Sequence, residues 1–142
     1  METLMKLQAW IGLRSGIVIY LDTHVVVRLY TQTVDGLSAT VLQLLEQEDD
    51  IRISPMARLE IEYLYEIKRI NEQAITIIDS LESSIGLVTC NAPFGTVSKA
   101  AESLNWTRDP FDRLIVAQAS LYDALLITKD EKIRLNYNHA IW

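Results

Sequence analysis

Two short runs constrain the fold more than anything else in this chain. Residues 17–21 (Ile-Val-Ile-Tyr-Leu) are apolar throughout, and residues 124–128 (Ala-Leu-Leu-Ile-Thr) are apolar up to the closing threonine. A strand with one wet face alternates apolar and polar residues, whereas a run without alternation suits a strand covered on both faces in a parallel sheet. Each run also stops at acid. Asp22 follows the first directly, and Asp130 lies two residues beyond Thr128.

The segments between them read as helices and shorter strands. A helix is expected over 23–30, then a polar turn over 31–36. Ser38 can cap a helix carrying Val41, Leu42, Leu44 and Leu45. Residues 51–53 form a brief strand. Ser54-Pro55 is a cap followed by proline at the first helical position, opening a helix expected to reach about Ile70. Asn71 is expected to start the next helix, which Gly86 stops, and 87–90 form another strand. A small-residue helix is expected over 93–104. Asp109-Pro110 then opens a helix whose Leu114, Ile115, Val116, Ala117 and Ala119 make it apolar on most sides, hence buried. A helical turn over 132–135 and an edge strand over 140–142 complete the chain. Strands alternating with helices predict one α/β domain over 16–142 with a mostly parallel sheet. Residues 1–15 mix Leu4, Met5, Leu7, Trp10 and Ile11 with Lys6 and Arg14, and are read as an appendage able to form a short amphipathic helix.

At 142 residues and 49% hydrophobic content the chain can bury a real core. Its single cysteine, Cys90, cannot form an internal disulfide and has neighbours (Thr89, Asn91) that offer neither base nor metal partner. A structural thiol in a reducing compartment is expected. No apolar run approaches membrane-spanning length, so a cytoplasmic protein is expected. The net charge of −6 argues against a protein that grips nucleic acid through a broad basic surface. It leaves open a nuclease whose acids hold cations, because bound divalent ions reverse the local sign.

Of nineteen Asp and Glu residues, most fall in polar turns, but a few do not. Asp22 and Asp130 follow buried strands, where open parallel sheets bind ligands; either is equally suited to capping the next helix. Asp109 is a cap and Asp112 sits in the first turn of the helix it opens, at the positive end of the dipole. Glu60 shares a helical face with Met56, Tyr63, Leu64 and Ile67, and a carboxylate there needs an arginine (Arg28, Arg58 or Arg113) or a metal. Glu62 and Glu66 lie on another face and read as solvated. Asp22, Glu60, Asp112 and Asp130 would converge at one edge of the sheet, a hard oxygen set suited to Mg²⁺ or Mn²⁺ and to phosphodiester cleavage. His24 is read as a helix residue beside the site rather than its base. Arg108, Arg113 and Lys129 are candidates to contact a nucleic-acid backbone. An aspartyl-phosphate phosphotransferase would want adjacent acids near the first strand, and the chain has Asp22-Thr23-His24.

Together these segments resemble a PIN domain, and more narrowly a VapC-type toxin nuclease. The resemblance rests on L-D-T-H at 21–24, S-P-x-x-x-x-E at 54–60, D-P-F-D-R-L-I-V-A-Q-A at 109–119 and I-T-K-D at 127–130. It covers about residues 16–142. It implies a three-layer α/β/α sandwich and an acidic pocket of Asp22, Glu60, Asp112 and Asp130, with Asp109 contributing. It also implies Mg²⁺ or Mn²⁺ as cofactor and RNA as substrate. Thr23 and Thr128 would be hydroxyl partners of the site. A homodimer and an antitoxin protein occupying the groove are the implied partners. The competing expectations are a housekeeping PIN nuclease and a catalytically silent binding module on the same fold.

Overall fold

The computed structural model describes residues 16–33 and 35–142; the appendage expected over 1–15 lies outside the described residues. Five parallel strands form one sheet in the order β3-β2-β1-β4-β5. These are β1 (Ile19–Leu21), β2 (Ile51–Ile53), β3 (Val88–Thr89), β4 (Leu125–Ile127) and β5 (Ala140–Ile141). Among the described residues the helices are α1 (Thr23–Thr31), α2 (Ala39–Gln47), α3 (Pro55–Glu66), α4 (Ala74–Ile85), α5 (Phe94–Ala101), α6 (Pro110–Leu121) and α7 (Glu131–Asn136).

The two apolar runs become the central strands. Every residue of β1 and β4 is fully buried, as a sheet covered on both faces requires. The architecture is the three-layer α/β/α sandwich. Ile19 pairs with both Ile51 and Leu125, and Leu21 pairs with Ile127. From β1 the chain builds outward to β2 and β3, then returns to place β4 on the other side. The β1–β4 boundary is therefore the switch point of the sheet, beyond whose carboxyl ends a crevice opens.

Side-chain caps start most of the helices. Ser38 accepts from the Val41 amide at 3.1 Å, and Ser54 from the Met56 amide at 3.1 Å. Gly86 ends α4 at φ 70°, with its own N–H and that of Leu87 both returning to the Leu81 carbonyl. A Cβ built at Gly86 meets nothing within 4 Å, so only the left-handed backbone demands glycine there. Gly86→Ala is expected to cost about 1 kcal/mol through that strain alone. Chemical denaturation of both proteins checks it.

Three helices depart from their expected bounds by more than one residue. α3 stops at Glu66 instead of about Ile70, because Lys68 adopts φ 63° and the Arg69 N–H returns to Leu64 O at 2.8 Å. α4 starts at Ala74 rather than Asn71. Its N-cap residue Gln73 makes no side-chain cap; Glu62 of α3 accepts the Ala74 amide at 2.9 Å instead. Glu62, expected to be solvated, thus places its charge at the positive end of α4. α5 spans Phe94–Ala101, inside the expected 93–104. Cys90 is buried, in keeping with a structural thiol.

Candidate active site

Five acids face one cavity of about 540 Å³: Asp22, Glu60, Asp109, Asp112 and Asp130. The sheet and its helices bring them there for simple reasons. Asp22 caps α1, accepting the Thr23 amide at 2.8 Å, and Asp130 caps α7, accepting the Ile133 amide at 3.0 Å. Their strands are neighbours at the switch point, and the Asp22 N–H bonds to Ile127 O at 3.0 Å. Asp109 caps α6 through the amides of Phe111 (2.8 Å) and Asp112 (3.3 Å). Helix capping and site membership, posed as alternatives in the sequence, are held by the same side chains.

Two threonines tie the acids to the frame. The Thr128 hydroxyl donates to Asp22 Oδ2 at 2.6 Å and accepts the Asp130 N–H at 3.0 Å. The Thr23 hydroxyl donates to Glu60 Oε1. Glu60 is therefore partnered by a hydroxyl, while Arg28 and Arg113 are engaged elsewhere. Its surroundings also differ from the expected apolar stripe. Ala57 and Ile61 carry the buried face of α3, whereas Tyr63 and Ile67 are exposed and Glu60 lies at the boundary.

The acids repel one another. Burial first, then the charges of Asp109, Asp22, Asp130 and Glu60, push Asp112 up to about 7. Burial also raises Asp22, against the opposing hydrogen bonds from Thr128 and the Thr23 amide. Glu60 is raised by burial and by the nearby Asp22 and Asp109, with the Thr23 hydrogen bond opposing. Positive charge brought into the cavity would relieve this repulsion. The acids are spread around the cavity. Among the described residues, no three Asp, Glu, His or Cys side chains already stand as ligands about one point.

His24 and Lys129 line the same cavity, as does Arg28. The sequence offered Arg28 only as an ion-pair partner for Glu60 and not as a residue of the cavity, although His24, Val27 and Arg28 follow the i, i+3, i+4 spacing of one helical face. Its guanidinium donates to Asp35 O at 3.2 Å and lies 5.4 Å above the Trp142 ring. Arg113 and Arg108 are placed elsewhere, along a separate depression beside Glu102 and Pro110. Arg113 clamps the end of α5, donating to Ala101 O (3.1 and 3.2 Å) and Glu102 O (3.0 Å). That gives the arginine just ahead of the apolar run 114–117 a structural role.

The sequence model of the PIN domain matches residues 19–137. The chain belongs to the PIN domain family. Solved structures share this PIN fold at low identity. VapBC2 of Rickettsia felis bound to a promoter DNA fragment superposes with TM-score 0.63 at 19% identity, covering 88% of this chain and 96% of that one. A toxin–antitoxin complex from Klebsiella pneumoniae gives 0.62 at 17% identity, covering 87% and 96%. DNA-bound VapBC from Salmonella typhimurium gives 0.59 at 12%, covering 83% and 91%. No curated protein matches the sequence at a significant level. No helix among the described residues of this PIN domain is long and apolar enough to cross a membrane.

Proposed function

We propose that this PIN domain is a Mg²⁺- or Mn²⁺-dependent endoribonuclease, the toxin of a cytoplasmic toxin–antitoxin pair. One observation carries the reading: five carboxylates line one cavity, where burial and then the charges of the other four push Asp112 up to about 7. With all five acids ionised, the cavity sets five negative charges against the two fixed cations Arg28 and Lys129. An oxygen-only donor set with that imbalance fits hard divalent cations, which keep much of their water and need only one or two direct carboxylates. The spread of the acids suits this. Asp22, Glu60, Asp112 and Asp130 would hold the ion or ions directly or through water, with Asp109 adding charge. A bound divalent ion supplies charge neutralisation at the scissile phosphate and a more acidic water.

The chain's own residues orient and exchange protons. Thr128 fixes one oxygen of Asp22, whose other oxygen accepts the Thr23 amide, and the Thr23 hydroxyl fixes one oxygen of Glu60. Asp112 would be one of the carboxylates that hold the ion, and its high proton affinity in the metal-free protein means that it gives up a proton when the ion binds. Lys129 supplies a cation for a flanking phosphate. Lys129→Gln is expected to weaken RNA binding and reduce the slope of log affinity against log salt by about one. Filter binding across a salt series measures it.

The partner is proposed from the solved relatives, which are toxin–antitoxin complexes: an antitoxin protein covering the cavity of a homodimeric toxin. Purified protein, freed of any co-purifying partner, is expected to cleave total RNA with Mn²⁺ and to stop on addition of chelator. Cleavage indifferent to chelator and to Asp22→Asn would end this reading. Cation binding without any cleavage would leave the silent binding module in its place.

A further inference from the structure

Beside the acids stands an aromatic pair that the cavity chemistry does not use. Tyr63 of α3 and Phe111 of α6 stack with ring centroids 6.2 Å apart and planes 27° from parallel. Tyr63 follows Glu60 by one helical turn, and Phe111 is the residue between Pro110 and Asp112. The pair thus bridges the two helices that bring Glu60 and Asp112 to the cavity. Tyr63 keeps 49% of its surface in water, although it already touches another ring. The Tyr20–Tyr122 stack, in contrast, is anchored by a fully buried Tyr20.

We propose that Tyr63 and Phe111 form a stacking platform for one unpaired base of the RNA, next to the phosphate that is cut. The proposal rests on the nuclease reading above and adds to it a contact for one unpaired base at the edge of the acids. Every base has a π face, so an aromatic platform holds a single strand with little regard to sequence. A paired base is already stacked within its helix and cannot use it. The acids repel the backbone until a cation is bound, so an uncharged contact at their edge would hold the strand by its bases. The rival occupant is a protein, because Tyr63 also continues a line of exposed apolar residues, Leu59 (56%) on α3 and Ile67 (44%) at its C-cap.

The test uses the full chain carrying Asp112→Asn, to prevent turnover, and single-stranded RNAs of about eight nucleotides with 2-aminopurine at one position at a time. Binding is expected to quench the fluorescence at one position. Adding Tyr63→Ala is expected to remove that quench and weaken binding by about tenfold, whereas Tyr63→Phe and Tyr63→Trp retain both. An abasic nucleotide at the quenched position should weaken binding to Tyr63 protein but not weaken it further in the alanine variant. A purely structural stack would not produce that dependence on one base. RNA binding and quench unchanged by Tyr63→Ala, with loss of self-association or of a protein complex instead, would assign the stripe to protein docking and overturn the platform. If no RNA binds with Tyr63 intact and saturating Mn²⁺ present, and the wild-type protein cleaves none, the nuclease reading falls and the platform with it. Unimpaired cleavage by the Tyr63→Ala single variant would remove the platform alone.

Discussion

Asp112→Asn is expected to abolish RNA cleavage and, in the same protein, to raise the stability of the metal-free fold at pH 8. The two effects have opposite signs because the same repulsion underlies both. Asp112 is pushed from the ordinary value of 3.8 up to about 7 by burial and by four neighbouring acids. A carboxylate raised on folding binds its proton more tightly in the native state than in the unfolded chain. Stability is therefore highest below the unfolded value and falls as pH rises through the window from about 4 to 7, with the full penalty present at pH 8. Asparagine removes the charge and the penalty together. Asp112 is only half-buried, so solvent screening trims the gain to about 1–2 kcal/mol. That corresponds to a rise of a few degrees in Tm for a domain this size. Loss of a carboxylate from the reacting site should lower kcat by on the order of 10³-fold. Thermal melts at pH 5 and pH 8 should show the larger stability gain at the higher pH. A variant that melts lower than the parent at pH 8 would mean the acids do not crowd one another.

Thr128→Val is expected to be the most damaging isosteric change near the site, costing about 3 kcal/mol and more than tenfold in activity. The side chain is fully buried, donating to Asp22 Oδ2 at 2.6 Å and accepting from the Asp130 amide at 3.0 Å. Valine fills the same space but leaves a carboxylate oxygen without its donor and an amide without its acceptor. Burial already raises Asp22, and losing its strongest opposing hydrogen bond raises it further. Thr128→Ser keeps both bonds and should keep most of the activity. Urea titration with a cleavage assay on both variants separates the hydroxyl from the packing. Equal losses in valine and serine variants would point to the methyl group instead.

The central strands and the buried α6 were legible because burial on both faces erases alternation, and the residues at 17–21, 114–119 and 124–128 show that directly. The acids were legible for a related reason. Asp22 and Asp130 follow the neighbouring strands β1 and β4, and sequence position alone places them on one crevice once the sheet order is known. What stayed hidden depended on contacts between distant segments. Glu62 reads as a solvated acid because the amide it caps lies twelve residues away on another helix. Arg113 reads as a backbone contact because the α5 carbonyls it clamps are joined to it only by tertiary packing. The buried face of α3 is narrower than its composition suggests. Tyr63 and Ile67 have the residue types of a core but lie exposed, while Ala57 and Ile61 do the packing.

The most direct test is calorimetric titration of Mn²⁺ into the wild-type protein and Asp112→Asn at pH 7, in two buffers of different ionisation enthalpy. A cation drawn to these acids must displace the proton that Asp112 shares with water near neutrality. The expected result is saturable binding to the wild type with release of about half a proton per protein, and weaker binding without proton release in the variant. Saturable binding of equal strength in both proteins, or heats that do not depend on the buffer, would contradict the claim that these five acids form one cation site.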